Sequence, residues 1–221
     1  MTIRNIVFDF DGTLANTLPI IVNALQRVFK EHDGFDLGYD DFIRLAGPSE
    51  LGIIELNLKN RERLEAATEQ FLSHYNEKHH EFVEPVEEIA LLLKDLAEAG
   101  VRMALFTGKA RRTLDISLAK LRMNLAFDQI VTGDDVKESK PSPEGLHAIL
   151  GSLGWNREDT IFIGDSNDDM EAGAAAGVRT YAAQWMPAVQ SKEYATPPLL
   201  TFYSVEEFRA FLAGEVAGFN N

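Results

Sequence analysis

The chain has no cysteine, which excludes disulfides, a thiolate nucleophile and any zinc–thiolate centre. It has no apolar run of membrane-spanning length, and its start, MTIRNIVFDF, lacks the layout of a secretion signal. A cytoplasmic protein is the expectation. Proline- or glycine-rich tracts, single-residue runs and internal repeats are also missing, which sets aside extended disorder and solenoid architectures. Positive charge is in short supply: 21 Lys and Arg stand against 35 Asp and Glu, for a formal net charge of -14. A field of that sign repels nucleic acid and anionic membranes, so neither is an expected partner. It does not exclude an anionic small molecule, because a divalent ion and a few local cations can dominate inside one cleft.

What is present is 221 residues, 45% of them hydrophobic, enough for one large domain or one domain with a smaller insertion. Ile6 to Phe10 reads as a buried strand that stops at a polar turn containing Asp9, Asp11 and Gly12. Arg102 to Phe106, ending in Thr107-Gly108, and Thr160 to Ile163, ending in Gly164-Asp165, repeat the pattern after helical segments. Alternating strands and helices predict an α/β fold, a doubly wound Rossmann-like parallel sheet whose ligand crevice lies beyond the carboxyl ends of the strands. Between Pro19 and about Phe82 apolar residues recur at three- and four-residue spacing with no convincing strand. The expected division is therefore an α/β core of residues 1–15 and 85–221 and an inserted helical lobe of residues 16–84. The C-terminal stretch with Pro187, Pro197 and Pro198 reads as loops before a last helix, Ser204 to Leu212, and the final GFNN as a frayed tail.

Strand alternation projects Asp9 and Asp11 toward one side, and Gly12 lets the backbone turn sharply after them. Two carboxylates in one water-poor pocket repel unless a cation or proton lies between them, which implies a hard divalent ion on oxygen ligands, magnesium being the natural candidate. The bland alternative is a strand followed by an acidic loop. It loses ground because the other two strand ends also carry fitting groups.

FDFDGT, FTGK, the lysine of ESKPSPEG and the run IGDSNDDMEAGAAAG, in this order and spacing, resemble the four signature motifs of the haloacid dehalogenase superfamily. The resemblance covers essentially the whole chain, since the helical stretch after the first motif is similar to the helical cap of phosphoglycolate phosphatases and β-phosphoglucomutases. It implies that Asp9 is a nucleophile forming an aspartyl-phosphate and a metal ligand. Asp11 would be the general acid and base, with its backbone carbonyl on magnesium. Thr107 and Gly108 would hold a phosphoryl oxygen; a Thr-Gly turn in isolation is usually a plain helix cap, and it is the set of motifs that reverses this reading. Lys140 would neutralise the phosphoryl oxygens and the carboxylate cluster. Asp165 would be a further metal ligand, and Asp169, picked over Asp168 by the family spacing, would orient Lys140 or metal-bound water. The implied activity is a Mg2+-dependent phosphatase acting on small-molecule phosphomonoesters. A phosphomutase of the β-phosphoglucomutase kind is the alternative, and a non-enzymatic binding module a more distant one.

Selectivity is expected from the helical lobe, where Arg44 to Glu50 breaks the helical pattern with Gly47-Pro48 and Arg44 can meet an anionic substrate end. A plain turn with a solvated Arg44 is the competing reading. Lys109, Arg111 and Arg112 can add positive potential at the cleft rim or lie on the surface. His74, His79 and His80 read as part of a solvated helix face rather than a second metal site. Lys30, Lys59 and Lys78 have no motif that supports a Schiff-base role. A monomer is the default expectation, with a dimer left open.

Overall fold

The structure is a computed structural model that describes residues 2–38, 41–42, 45, 49–123 and 127–219. Its strands are β1 (Asn5–Phe8), β2 (Arg102–Phe106), β3 (Gln129–Val131), β4 (Thr160–Gly164), β5 (Arg179–Ala183) and β6 (Thr201–Phe202). They form one sheet in the order β3-β2-β1-β4-β5-β6, and every pairing is parallel. The α-helices among the described residues are α1 (Leu18–Asp33), α2 (Glu50–Asn57), α3 (Leu64–Phe82), α4 (Glu87–Glu98), α5 (Arg111–Leu121), α6 (Glu144–Leu153), α7 (Asn167–Ala176) and α8 (Val205–Glu215). This is the α/β Rossmann-like architecture that the alternating pattern predicts. None of these helices is long and apolar enough to cross a membrane.

β1 lies in the middle of the sheet with all four residues buried, because helices cover both faces and both side-chain rows must be apolar. Its register sets Phe8 opposite Leu105 of β2 and Ile163 of β4. The residues just beyond these three strands therefore emerge side by side. The strand is shorter than Ile6 to Phe10, for a local reason: the Phe10 carbonyl turns inward and accepts the amides of Thr13, Leu14 and Ala15, so it no longer serves the ladder. Gly12 has φ 80, and a Cβ there would collide with the Asp165 carboxylate. A side chain at that position is excluded by conformation and by space.

Among the described residues between β1 and α4 the regular elements are helices, with α1 packed along α3. Helix α1 starts with Pro19 in its first turn and ends at Gly34 in the left-handed region, where the amides of Gly34 and Phe35 close onto the carbonyls of Lys30 and Phe29 respectively. On α3 the expected solvated histidine face is not what forms. His79 and His74 are buried: the former meets Ser117 Oγ at 3.0 Å and packs edge-on against Tyr75. His74 is held by Asn23 and Arg27. Burial, helped by Lys109, pushes His79 down to about 4, so it is a neutral core residue. The tail also departs from expectation at Phe219, which is buried beneath the Arg209 guanidinium.

Candidate active site

Asp9 follows the last residue of β1, and its buried carboxylate faces a small cavity lined by residues just beyond β1, β2 and β4, by Lys140 and Gln190, and by residues of the helical segment. Lys140 Nζ donates to Asp9 Oδ1 at 2.7 Å and to Asp169 Oδ1 at 2.6 Å. Asp9 Oδ2 is buried and has no hydrogen-bond partner, an arrangement that a native interior rarely leaves unless something else binds there. Carboxylate oxygens of Asp9, Asp165 and Asp169 all lie within 4.8 Å of one another. Burial lifts Asp9 to about 7 against the opposing charge of Lys140, with Asp169 and Asp11 adding to the rise. Asp165 is raised well above the ordinary carboxylate range by the same burial and by the charges of Asp9 and Asp169.

Each carboxylate has a different set of neighbours. Asp169 is at the third position of α7, and its Oδ2 accepts the Ser166 amide at 3.0 Å and the Ser166 hydroxyl at 2.6 Å. Ser166 Oγ caps the helix in return, completing a capping box. Asp165 accepts the Gln190 amide at 2.6 Å on Oδ2 and the Gln190 side-chain amide at 3.1 Å on Oδ1. The same Gln190 Nε2 reaches the Asp11 backbone carbonyl at 3.4 Å, so this carbonyl and Asp165 Oδ1 face one point. The Asp11 side chain turns away from the cluster, where Thr17 Oγ1 donates to its Oδ1 and Lys109 Nζ lies 3.0 Å from it.

Thr107 and Gly108, just past β2, line the same cavity, and the buried Thr107 hydroxyl accepts the Lys109 amide at 3.3 Å. Lys140 is followed by a cis peptide bond to Pro141. Burial disfavours the Lys140 ammonium, but Asp169 and Asp9 outweigh it and hold the group above its ordinary range. Asp168 lines the cavity without joining the carboxylate cluster. Arg44, with Gly47 and Pro48, lies outside the described residues. Arg111 and Arg112 are engaged elsewhere, with Asp135 at 2.5 Å and Glu69 at 2.7 Å, and Lys30, Lys59 and Lys78 do not line the cavity.

Two contributors carried no sequence signal strong enough to single them out. Gln190 sits in an irregular loop after β5, where neither period nor motif applies. Glu50 belongs to the Arg44–Glu50 segment, where a lone acid beside a Gly-Pro turn has the pattern of an ordinary surface residue. Its burial depends on α2 docking against the start of α5, which a linear pattern does not contain.

Residues 6–183 match the family model of the haloacid dehalogenase-like hydrolases. The chain belongs to this family. Pyrophosphatase PpaX of Halalkalibacterium halodurans is 32% identical over 194 residues, covering 88% of each chain. Pyrophosphatase PpaX of Bacillus mycoides is 31% identical over 187 residues, covering 84% of this chain and 85% of its own. CbbY from Rhodobacter sphaeroides, crystallised with phosphate, shares the fold with a TM-score of 0.79 at 23% identity, covering 99% of both chains. Membership of the family, with relatives of this kind, makes the protein a hydrolase of the phosphatase class.

Proposed function

We propose that the protein is a Mg2+-dependent phosphatase of small-molecule phosphomonoesters that works through an aspartyl-phosphate on Asp9. The observation that carries this reading is the Asp9 carboxylate itself, with Oδ1 fixed by Lys140 and Oδ2 unpartnered beneath the cavity. The donor set fits a hard divalent cation: Asp9 Oδ2, the Asp165 carboxylate and the Asp11 carbonyl are all oxygens, and the last two already converge on the Gln190 amide. Asp169 belongs to the same cluster, but its two oxygens serve Lys140 and Ser166, so its role is to position the lysine. When bound, Mg2+ screens the repulsion between these carboxylates and the phosphoryl oxygens.

In the first step an Asp9 oxygen attacks phosphorus and the bond to the ester oxygen breaks. Asp11, which lines the cavity, gives its proton to the departing alkoxide, which leaves as an alcohol. In the second step water attacks the aspartyl-phosphate, Asp11 takes its proton, and the bond between phosphorus and Asp9 breaks to release phosphate. Thr107, the Gly108 amide and Lys140 hold the phosphoryl oxygens during both steps, where charge is spread over them. Residues 16–84 act as a cap over the α/β core of residues 1–15 and 85–221, with Leu18, Ile21, Glu50 and Ile53 forming its inner surface. The substrate is a single small molecule, the working unit is a monomer and the enzyme acts in the cytoplasm.

The test is phosphate release from a panel of phosphoesters with Mg2+ or EDTA. Turnover that requires Mg2+ and vanishes in Asp9→Asn is the expected result. Isomerisation of a sugar phosphate without phosphate release would replace the hydrolase reading by a mutase.

A further inference from the structure

The cavity above Asp9 has a charged roof that the hydrolysis of a phosphoester does not require. Glu50, at the start of α2, is 4% exposed. Its Oε1 accepts from Lys109 Nζ at 2.7 Å and from Thr113 Oγ1 at 3.1 Å, and its Oε2 accepts the Ala110 amide at 2.8 Å. Lys109 is also buried: it reaches Asp11 Oδ1 at 3.0 Å and lies 4.8 Å from the centre of the Tyr75 ring. Both Glu50 and Lys109 line the cavity beside Asp11. The described cation on that side is therefore matched by Glu50 even while Asp11 carries the proton it donates. The other lining lysine, Lys140, is held between Asp9 and Asp169.

Transfer of a phosphoryl group to Asp9 expels the leaving group on the face opposite the attacking oxygen, since attacking and leaving oxygens stand roughly in line. With Asp11 as the proton donor, the leaving group sits next to Asp11, Lys109 and Glu50. A leaving group that carries its own negative charge, such as phosphate from a diphosphate or a carboxylate from a phosphorylated hydroxy acid, meets the Glu50 carboxylate there with no free cation among the described lining residues. In a water-poor space the Glu50 charge offsets the pull of Lys109 on such a group, which loses its hydration without gaining a counter-charge. Glu50 does not yield its place easily, because leaving would strand a buried lysine and two further donors. Leu18, Ile21, Phe42 and Ile53 give the helical side of the wall an apolar surface, and the space is about 90 Å3, well below the roughly 300 Å3 of pockets for drug-sized ligands.

We propose that Glu50 is a specificity determinant that rejects anionic leaving groups, so that the substrates are phosphomonoesters of small, uncharged alcohols. The inference rests on the phosphatase reading above and sets this chain apart from the relatives named as pyrophosphatases. Specificity achieved by a repulsive group is a difference of affinities, and removing the repulsion should relax it.

The experiment compares wild type with Glu50→Gln, which keeps the shape and an acceptor for Lys109 while removing the charge. Wild type should hydrolyse glycerol phosphate with a kcat/KM at least tenfold above that for pyrophosphate or phosphoglycolate. In Glu50→Gln the ratio should move toward the anionic leaving groups by roughly tenfold or more. A second readout needs no turnover: calorimetric binding of methylenediphosphonate should tighten about tenfold in Glu50→Gln, while binding of inorganic phosphate stays the same. Wild type that prefers pyrophosphate, or a Glu50→Gln variant that binds methylenediphosphonate no better, overturns the proposal. Failure to hydrolyse any ester, with the diphosphonate result as expected, would instead sink the phosphatase reading and leave the role of Glu50 standing.

Discussion

Binding of Mg2+ should displace a proton, and the affinity should therefore depend steeply on pH. In the metal-free site burial, opposed by Lys140, sets Asp9 at about 7. At pH 5 only about one molecule in a hundred then carries the ionised carboxylate, and metal binding must draw on that fraction. The apparent Kd for Mg2+ should be roughly 100-fold weaker at pH 5 than on the plateau above pH 8, a difference of about 2.7 kcal/mol. Asp165, raised as well, can only steepen the dependence. The same shift acts on stability. Folded Asp9 keeps its proton up to about 7, whereas the unfolded chain loses it near the ordinary carboxylate value of 3.8, so metal-free protein loses stability as pH rises between these values. Mg2+ should restore most of that loss above pH 7 and little below pH 5. Calorimetric titrations from pH 5 to 8, in buffers of different ionisation enthalpy, measure both affinity and proton release. An affinity that is flat over this range would refute the account of Asp9, and Asp9→Asn should flatten the slope.

Two substitutions separate the site from its scaffold. Lys140→Met leaves the buried carboxylates of Asp9 and Asp169 facing each other, and urea unfolding at pH 8 should show a loss of about 3–5 kcal/mol together with loss of turnover. Phe208→Ala removes a fully buried ring that packs against Phe202 and Trp185 at 5.1 and 5.7 Å. It should cost about 3–5 kcal/mol in the same assay while activity per folded molecule stays near wild type.

The parallel sheet was legible because each buried strand is a short apolar run ending at a polar turn, and the turns after Phe8, Phe106 and Gly164 carry the groups that meet in space. The short strands β3 and β6, of three and two residues, fall below the length at which any period can be read. Asp9, Asp165, Asp169 and Lys140 were found by motif, and the structure gathers them into one buried cluster. What pattern could not supply was the partner of each oxygen. The contacts of Gln190 and Glu50 close across 25 and 59 or more residues, and only tertiary docking decides them. His74 and His79 of α3 depart from the expected solvated face for the same reason: polar side chains at helical spacing look solvated until another element covers them and offers a partner, as α5 does for His79 with Ser117.

Asp169 divides its two oxygens between architecture and chemistry. One fixes where α7 begins and the other holds the ammonium that touches Asp9. At Gly173 this helix approaches Thr180 so closely that a single added carbon would collide with it. The lysine is thus geared to the sheet through a rigid linkage: a displacement of the helix by one bond length would drag the charge away from the nucleophile. Loss of folding and loss of function are consequently the same event at this corner of the molecule. Mutational scans should find there few variants that are well folded yet inactive, in contrast to the cavity roof, where charge can change while the scaffold remains intact.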